Sequence, residues 1–278
     1  MDELAVGAMF AGHTIRAVAG RGGMGVVYRA EWEGKDVALK VIMPELSQDR
    51  EFRIRFQREY RAEASINHPN VMRVFGAGAK DGLLYVTMRY IDGTDLDRLL
   101  ANGARLPPER AAALINQVAS GLDAAHERGI VHRDVKPANV LLDGSADEPH
   151  AILTDFGLMK NLNSKVQLTM AGSFVGTCNY ASPEQLLSEG IDARTDVYAL
   201  GCMLFQALTG QVPYPRSSSA ATMFAHLEAP VPTVTSVAPD VPAAFDEVVA
   251  RAMAKDASAR FASAGELGRA AVDAAAAG

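Results

Sequence analysis

The sequence predicts an α+β protein in two parts, a strand-rich first third followed by a mainly helical remainder. Three observations carry that expectation. Residues 13–43 read as three β-strands around a glycine-rich turn. From Leu106 onward, apolar residues recur at helical spacing. Between these regimes the stretch HRDVKPANVLL gathers a carboxylate, an ammonium and a carboxamide close together, Asp134, Lys136 and Asn139. A chain of 278 residues suits one large domain or two lobes around a cleft.

Bulk properties exclude several classes of function. With 27 basic and 33 acidic residues the net charge is −6, leaving no cationic surplus to hold a nucleic-acid backbone. The longest apolar stretch, 197–210, contains Gln206 and is too short to span a bilayer. The N-terminus has no signal-like pattern. Two cysteines, Cys178 and Cys202, indicate neither a disulfide framework nor a cysteine zinc site, and the six histidines show no metal-ligand spacing. The expectation is a soluble, cytoplasmic domain with no nucleic-acid partner and no membrane span within this chain.

Residues 1–12 carry little pattern and are expected to form a loosely held extension. Strands are predicted at 13–20, 25–32 and 35–43. Between the first two, Gly20-Arg21-Gly22-Gly23-Met24-Gly25 fits G-x-G-x-x-G. A dinucleotide-binding turn would need a helix next. The β-branched and aromatic Val26-Val27-Tyr28 favour a strand instead. A hairpin tip of bare glycines lets backbone N–H groups approach phosphate oxygens, although a merely flexible hairpin would carry the same residues. Lys40 is the one cation in the apolar run Val37-Ala38-Leu39-Lys40.

Residues 47–67 read as one helix capped by Ser47 and ended before Pro69. Phe52, Phe56, Glu59, Tyr60 and Glu63 share a face of it. A carboxylate on a core-facing stripe needs a cation, and Lys40 is the candidate. Spacing alone does not choose between Glu59 and Glu63. Strands follow at 71–77 and 83–89. A long helix is predicted at 106–128, opened by Pro107 and Pro108 and closed by Gly129. Further helices are predicted at 192–208, 220–228, 243–254 and 263–276, the last opened by a Ser263–Glu266 capping box.

Pro137 keeps the segment around Lys136 out of a helix. Residues 140–142 and 151–153 read as short strands that should pair as a hairpin across a polar turn. That pairing would set Asn139, before one strand, beside Asp155, after the other. An amide oxygen and a carboxylate side by side suit Mg²⁺.

The run HRD-x-K-P-x-N followed by Asp155-Phe156-Gly157 resembles the catalytic core of the bacterial eukaryotic-like (Hanks-type) serine/threonine protein kinases, such as the PknB-like kinases of actinobacteria. The resemblance covers about residues 13–275. It implies a bilobal protein-kinase-like fold, with an N-lobe (13–91) of five antiparallel strands plus one helix and a mainly helical C-lobe (92–278). It also implies transfer of the ATP γ-phosphoryl to Ser/Thr hydroxyls of protein substrates, this chain itself included in autophosphorylation. In that pattern Asp134 takes the hydroxyl proton, Lys136 steadies the phosphoryl group, and Asn139 and Asp155 hold Mg²⁺, with Mn²⁺ as a substitute.

The same resemblance places Lys40 on the α- and β-phosphates, paired with Glu59, which counting back from His68-Pro69-Asn70 selects. Glu63 then falls where the family places an apolar residue. That departure would either weaken docking of the helix or make Glu63 a second, regulatory partner for Lys40. Gly20, Arg21, Gly22, Gly23, Met24 and Gly25 would cover the phosphates. Val27 and Ala38 would belong to the nucleotide site and Met88 to the back of the adenine pocket, with backbone groups of Arg89, Tyr90 and Ile91 along the adenine edge. Asp95 and Asp97 would lie near the ribose, or either serves only as solvated helix-start charge.

Residues 176–184, GTCNYASPE, resemble the end of an activation segment, with S-P-E in place of A-P-E. The resemblance implies phosphorylation at Thr169, where similar bacterial kinases often carry a phosphothreonine, with Ser173 and Ser164 as weaker candidates; a buried Arg133 would need such an anion. An unmodified Ser/Thr loop is the alternative. Supporting roles are implied for His132 behind Phe156, Thr177 on Asp134 and Lys136, Asp196 on the catalytic-loop backbone, and Arg260 on Glu184. Relatives often dimerise through the N-lobe or continue into a membrane span, so a homodimer and a place as the cytoplasmic part of a membrane kinase go with the resemblance. Two other readings compete. An ATP-binding pseudokinase scaffold is opposed by Lys40, Asp134, Asn139 and Asp155 and favoured by Glu63. Small-molecule phosphotransferases generally lack the combined GT…SPE segment and Arg260.

Overall fold

Alternation along the strands decides which way the first sheet faces. The structure, a computed structural model, describes residues 3–145, 149–156 and 178–277. Its larger sheet comprises β1 (Met9–Phe10), β2 (His13–Gly22), β3 (Gly25–Trp32), β4 (Lys35–Ile42), β5 (Val74–Lys80) and β6 (Leu83–Arg89), antiparallel in the order β1-β2-β3-β4-β6-β5. On β4, Val37, Leu39 and Val41 join one buried cluster with Phe10, Ile15 and Tyr28. Ala38 and Ile42 join the opposite cluster with Phe52, Phe56 and Tyr60. Lys40 therefore lies by the period of two on the helix-covered face.

Two expectations are corrected here. The sheet has six strands, because the N-terminal extension is docked and supplies β1. Phe10 is buried, Gly7 N–H donates to Ile15 O, and Ile15 N–H donates to Ala8 O. The predicted single helix at 47–67 is two, α1 (Pro44–Gln48) and α2 (Arg50–Ala64), broken at Asp49. Asp49 has extended backbone, and its carboxylate caps α2 by accepting from Phe52 N–H at 2.7 Å. Ser47 does not cap α2. Its buried hydroxyl bridges Ile42 O and Leu84 N–H.

The second part is built on α4 (Pro108–His126), after the short β7 (Thr94–Asp95) and α3 (Leu96–Leu99). The hairpin β8 (Val140–Gly144) and β9 (Pro149–Leu153) follows, with β7 paired to β8. After it come α5 (Pro183–Leu187), α6 (Ala193–Thr209), α7 (Ser219–Glu228), α8 (Ala244–Ala252) and α9 (Ala264–Ala276). Helix α6 is buried along nearly its whole length, so it is the rigid spine of this lobe. The chain passes between lobes at Gly93, where a Cβ would stand 2.1 Å from Leu142 O. At α9, Ser263 accepts from Glu266 N–H, while the Glu266 carboxylate reaches Ala262 N–H instead of closing the predicted box.

A polar cluster sits inside this lobe. His226 is fully buried, with Nδ1 2.9 Å from the Tyr198 hydroxyl. Lys255 Nζ donates to His226 O at 2.7 Å and to the Tyr214 hydroxyl at 3.0 Å. Burial, with the Lys255 charge adding to it, pushes the His226 pKa down to about 4. The unfolded chain binds a proton near pH 6.5 that the folded chain refuses. Stability held above that pH is therefore lost as pH falls toward 4, by up to about 3 kcal/mol. Between pH 7 and pH 4.5, His226→Gln should lose roughly 5 °C less in Tm than the unsubstituted chain. Equal losses in a thermal melt series would remove His226 as a source of acid sensitivity.

Candidate active site

The loop that carries Asp134 is held from below by one carboxylate. Asp196, in the first turn of α6 and fully buried, accepts the backbone N–H groups of His132 and Arg133, each at 2.8 Å, and Nε2–H of His126 at 2.7 Å. Arg133 adopts a left-handed backbone, φ +66°, which a residue with a Cβ takes at a cost in strain. Its carbonyl is held by Gln185 Nε2 at 2.8 Å. The Arg133 Nε is buried and unpartnered among the described residues.

His132 ties this loop to the end of β9. Its Nε2–H donates to Thr154 O at 3.1 Å, its Nδ1 accepts from Asp134 N–H at 3.2 Å, and its ring packs on Phe156 with centroids 4.5 Å apart. One donor and one acceptor require the neutral imidazole, and burial pushes its pKa down accordingly. Thr154 N–H donates to Asn139 O at 2.9 Å, so the 3-10 turn Pro137–Asn139 and the strand end are locked side by side. Asp155 then turns out of the strand with φ +56°.

Three polar side chains converge at this corner. Lys136 Nζ donates to Asp134 Oδ2 at 2.8 Å. Asn139 Nδ2 donates to Asp134 O at 2.8 Å and to Asp134 Oδ2 at 3.1 Å. Across the cleft, Lys40 Nζ stands 2.5 Å from Asp155 Oδ1, with the lysine side chain 9% and the aspartate 42% exposed.

The expected Lys40–Glu59 ion pair is not formed, and this is a correction. Among the described residues Lys40 pairs with Asp155. Helix α2 is turned so that Glu63, not Glu59, is buried behind the cleft. Burial raises the Glu63 pKa to about 8; the Asp155 charge adds to that and Lys40 opposes it. Glu59 is half-buried, and its pKa is raised by burial against the charges of Arg133, Arg55 and Arg58. Oε2 of each glutamate is buried without a hydrogen-bond partner among the described residues.

The glycine-rich turn joins β2 to β3, with Gly20 opposite Val27 and Gly22 opposite Gly25. Gly20 and Gly22 face open space, whereas a Cβ on Gly25 would stand 2.0 Å from Val41 O. Arg21 leans away, onto Glu3, through bonds of 2.6 and 2.9 Å. Met24 and Val27 pack on the α2-side cluster, which also contains Ala38 and Met88, with Tyr90 and Ile91 against it. Arg89 reaches Asp143 at 2.6 Å. Asp95 caps α3, accepting from Arg98 N–H at 2.8 Å. Gly157, Ser164, Thr169, Ser173 and Thr177 lie outside the described residues.

This layout has parallels among known proteins. Residues 14–268 match the protein kinase domain family. The chain belongs to that family. It is 42% identical to the serine/threonine-protein kinase PknH of Mycobacterium tuberculosis over 97% of this chain and 43% of that protein. It is 43% identical to PknJ of the same organism over 97% of this chain and 46% of that one. Among solved structures, the M. tuberculosis PknI kinase domain matches with a TM-score of 0.79 at 34% identity, over 98% of this chain and all of that one. The chain thus spans less than half the length of the curated relatives it matches.

In this kinase domain the far end of the site is fixed by a pair that no local pattern reaches. Arg260 donates to Glu184 Oε1 at 2.7 Å and Oε2 at 2.8 Å, and Thr195 Oγ1 donates to Glu184 Oε1. Burial raises the Glu184 pKa, but the bonds and charge of Arg260 outweigh it and hold the carboxyl below its usual range. Sequence reasoning missed Gln185, which closes a capping box with Ser182 and also grips the Arg133 carbonyl. The S-P-E-Q order was the available signal. Arg260→Ala strands the Glu184 carboxylate, and breaking such a pair costs about 3–5 kcal/mol. Its Tm should fall by at least about 6 °C; a melt within 1–2 °C, roughly the effect of a surface change, would show the pair to be dispensable.

Proposed function

We propose that this chain is a serine/threonine protein kinase catalytic domain, one domain over 13–275 with its lobes meeting near 91–92, that transfers the ATP γ-phosphoryl to protein hydroxyls. The observation that carries this is the convergence of Asp134, Lys136 and Asn139 opposite Lys40 and Asp155, in a chain whose relatives are named serine/threonine-protein kinases. Such a transfer needs placement and charge neutralisation more than covalent help.

The residues present fit a divalent ion shared with phosphates. Asn139 commits its amide nitrogen to Asp134, which leaves the amide oxygen as its donor to a cation, and Asp155 adds a partly exposed carboxylate. No described cluster of three His, Cys, Asp or Glu forms a metal site on its own. Mg²⁺, or Mn²⁺ in its place, would when bound neutralise charge on the phosphate oxygens. Asp134, steadied by Lys136 and Asn139, orients the acceptor hydroxyl and takes its proton. Lys136 balances charge on the moving phosphoryl group, and Lys40 holds phosphate oxygens from the other lobe. Gly20, Gly22 and Gly25 let the backbone of the turn close over those oxygens without side-chain clashes.

Autophosphorylation at Thr169, with Ser173 as a second site, would supply the anion that Arg133 lacks. Pairing of two copies through the N-lobe and a cytoplasmic setting complete the proposal. No described helix is long and apolar enough to cross a membrane. The absent Lys40–Glu59 pair favours a second reading, an ATP-binding scaffold without turnover. Intact mass before and after ATP and Mg²⁺ separates the two, since stepwise gains of phosphate require turnover. Asp134→Asn should lose at least ~100-fold in transfer rate, and unchanged transfer would end its assigned role. Thr169→Ala should lower activity and abolish phosphate at that position by mass spectrometry; an active chain with no phosphate at 169 would remove the regulatory assignment.

A further inference from the structure

The glycine-rich turn is held unevenly on its two arms. On the β3 side, Met24 O accepts Met43 N–H at 2.9 Å, which fixes that arm to the residue after β4. On the β2 side, a Cβ on Gly20 or Gly22 would meet nothing, so Arg21 carries the only side chain at the tip of that arm. The β2–β3 ladder is irregular between Ile15 and Ala17 and again between Val18 and Gly20, and such irregularities bend a strand. Arg21 pairs with Val26, and cross-strand partners share a face of the sheet. Val26 and Leu4 pack on the cluster of Phe10, Ile15 and Tyr28. The Arg21 side chain therefore stands on the outer face, opposite to the α2 face on which Met24 and Val27 pack.

On that outer face lies the N-terminal segment. Leu4 N–H donates to the Tyr28 hydroxyl at 3.1 Å, and the backbone bonds of Gly7 and Ala8 with Ile15 anchor the segment further along. From this anchorage Glu3 offers both carboxylate oxygens to Arg21, accepting from Nε–H at 2.6 Å and from Nη2–H at 2.9 Å. We propose that residues 3–10 are a strap on the turn, in which Glu3 acts through Arg21 to hold the tip toward the outer face and off the nucleotide phosphates. Closing the turn over phosphates draws Arg21 away from Glu3, so the pair opposes closure. Glu3 is thus a positioning residue that weakens binding of a phosphorylated nucleotide. The Arg21 and Glu3 side chains are 64% and 42% exposed, and a pair so solvated adds little to the stability of the chain. It decides the position of the tip because no packing on Gly20 or Gly22 competes with it. The inference rests on the reading of this turn as the phosphate cover.

Calorimetric titration of the full chain with Mg·ADP and with adenosine tests the strap without turnover. Glu3→Gln should tighten Mg·ADP roughly threefold, the scale open to an exposed ion pair. It should leave adenosine unchanged, because adenosine has no phosphate for the turn to cover. In an Arg21→Gln background the same Glu3→Gln change should have no effect. A gain that persists in that background would reflect only the loss of a negative charge near the phosphates, and would overturn the strap. Equal gains for Mg·ADP and adenosine, or an unchanged Kd for Mg·ADP, would overturn it too. Hydrogen exchange of the unliganded chain supplies the second measurement. Glu3→Gln should speed exchange roughly threefold over residues 20–25 and leave α6 as it was. Unchanged exchange at the turn would overturn the strap whether or not a nucleotide binds. An unsubstituted chain that binds neither ligand would instead overturn the phosphate-cover reading, and the exchange would still decide the strap.

Discussion

A single buried carboxylate, that of Asp196, is the fixed point from which the catalytic corner is built. It stands on α6, the helix with the least access to water, so its position is that of the lobe's core. Two backbone N–H bonds to a charged acceptor contribute about 1.5–3 kcal/mol each. The left-handed Arg133 costs about 1–3 kcal/mol. The anchor exceeds the strain, so the loop keeps a conformation that its own sequence would not choose. Gln185 holds the carbonyl of the same residue, in the next peptide unit. The strained residue is clamped from α6 on one side and from α5 on the other.

From that point rigidity spreads in one direction only. His132 carries it to Thr154, Thr154 is bonded to Asn139, and Leu153 is bonded on both sides to the segment after α2, through Asn70 O and Met72 N–H. Loop, hairpin end and the connection to the first sheet therefore form one hydrogen-bonded unit. Lys40 and α2 are not part of it. They approach through an ammonium–carboxylate contact and through apolar packing, neither of which specifies a helix rotation as a ladder of backbone bonds does.

This division also explains what could be read from the sequence. Strands β3, β4 and β6, the helices α4 and α6 and the β8–β9 hairpin follow from periods of two and 3.6 and from proline and glycine punctuation, all local signals. Family resemblance extended that to long-range pairs such as Glu184 with Arg260, 76 residues apart. What escaped depends on tertiary partners. Ser47 resembles a cap, but its hydroxyl is claimed by Ile42 and Leu84, and the capping falls to Asp49. The N-terminal residues have no period, yet they add a strand because β2 offers a free edge and Phe10 an apolar anchor. Periodicity placed Glu59 and Glu63 on one face of α2. It carries no information on how far that face is rotated toward Lys40.

Which contact yields when the cleft rearranges follows from access to water. Asp155 keeps a side chain 42% exposed, so its carboxylate can exchange an ammonium for solvent at modest cost. Lys40 and Glu63 have no such exchange available, being almost wholly enclosed. Leaving Lys40 without an opposite charge is far more costly than separating a solvated pair. Any rearrangement that carries Asp155 away from Lys40 must therefore bring another anion to that ammonium or open it to water.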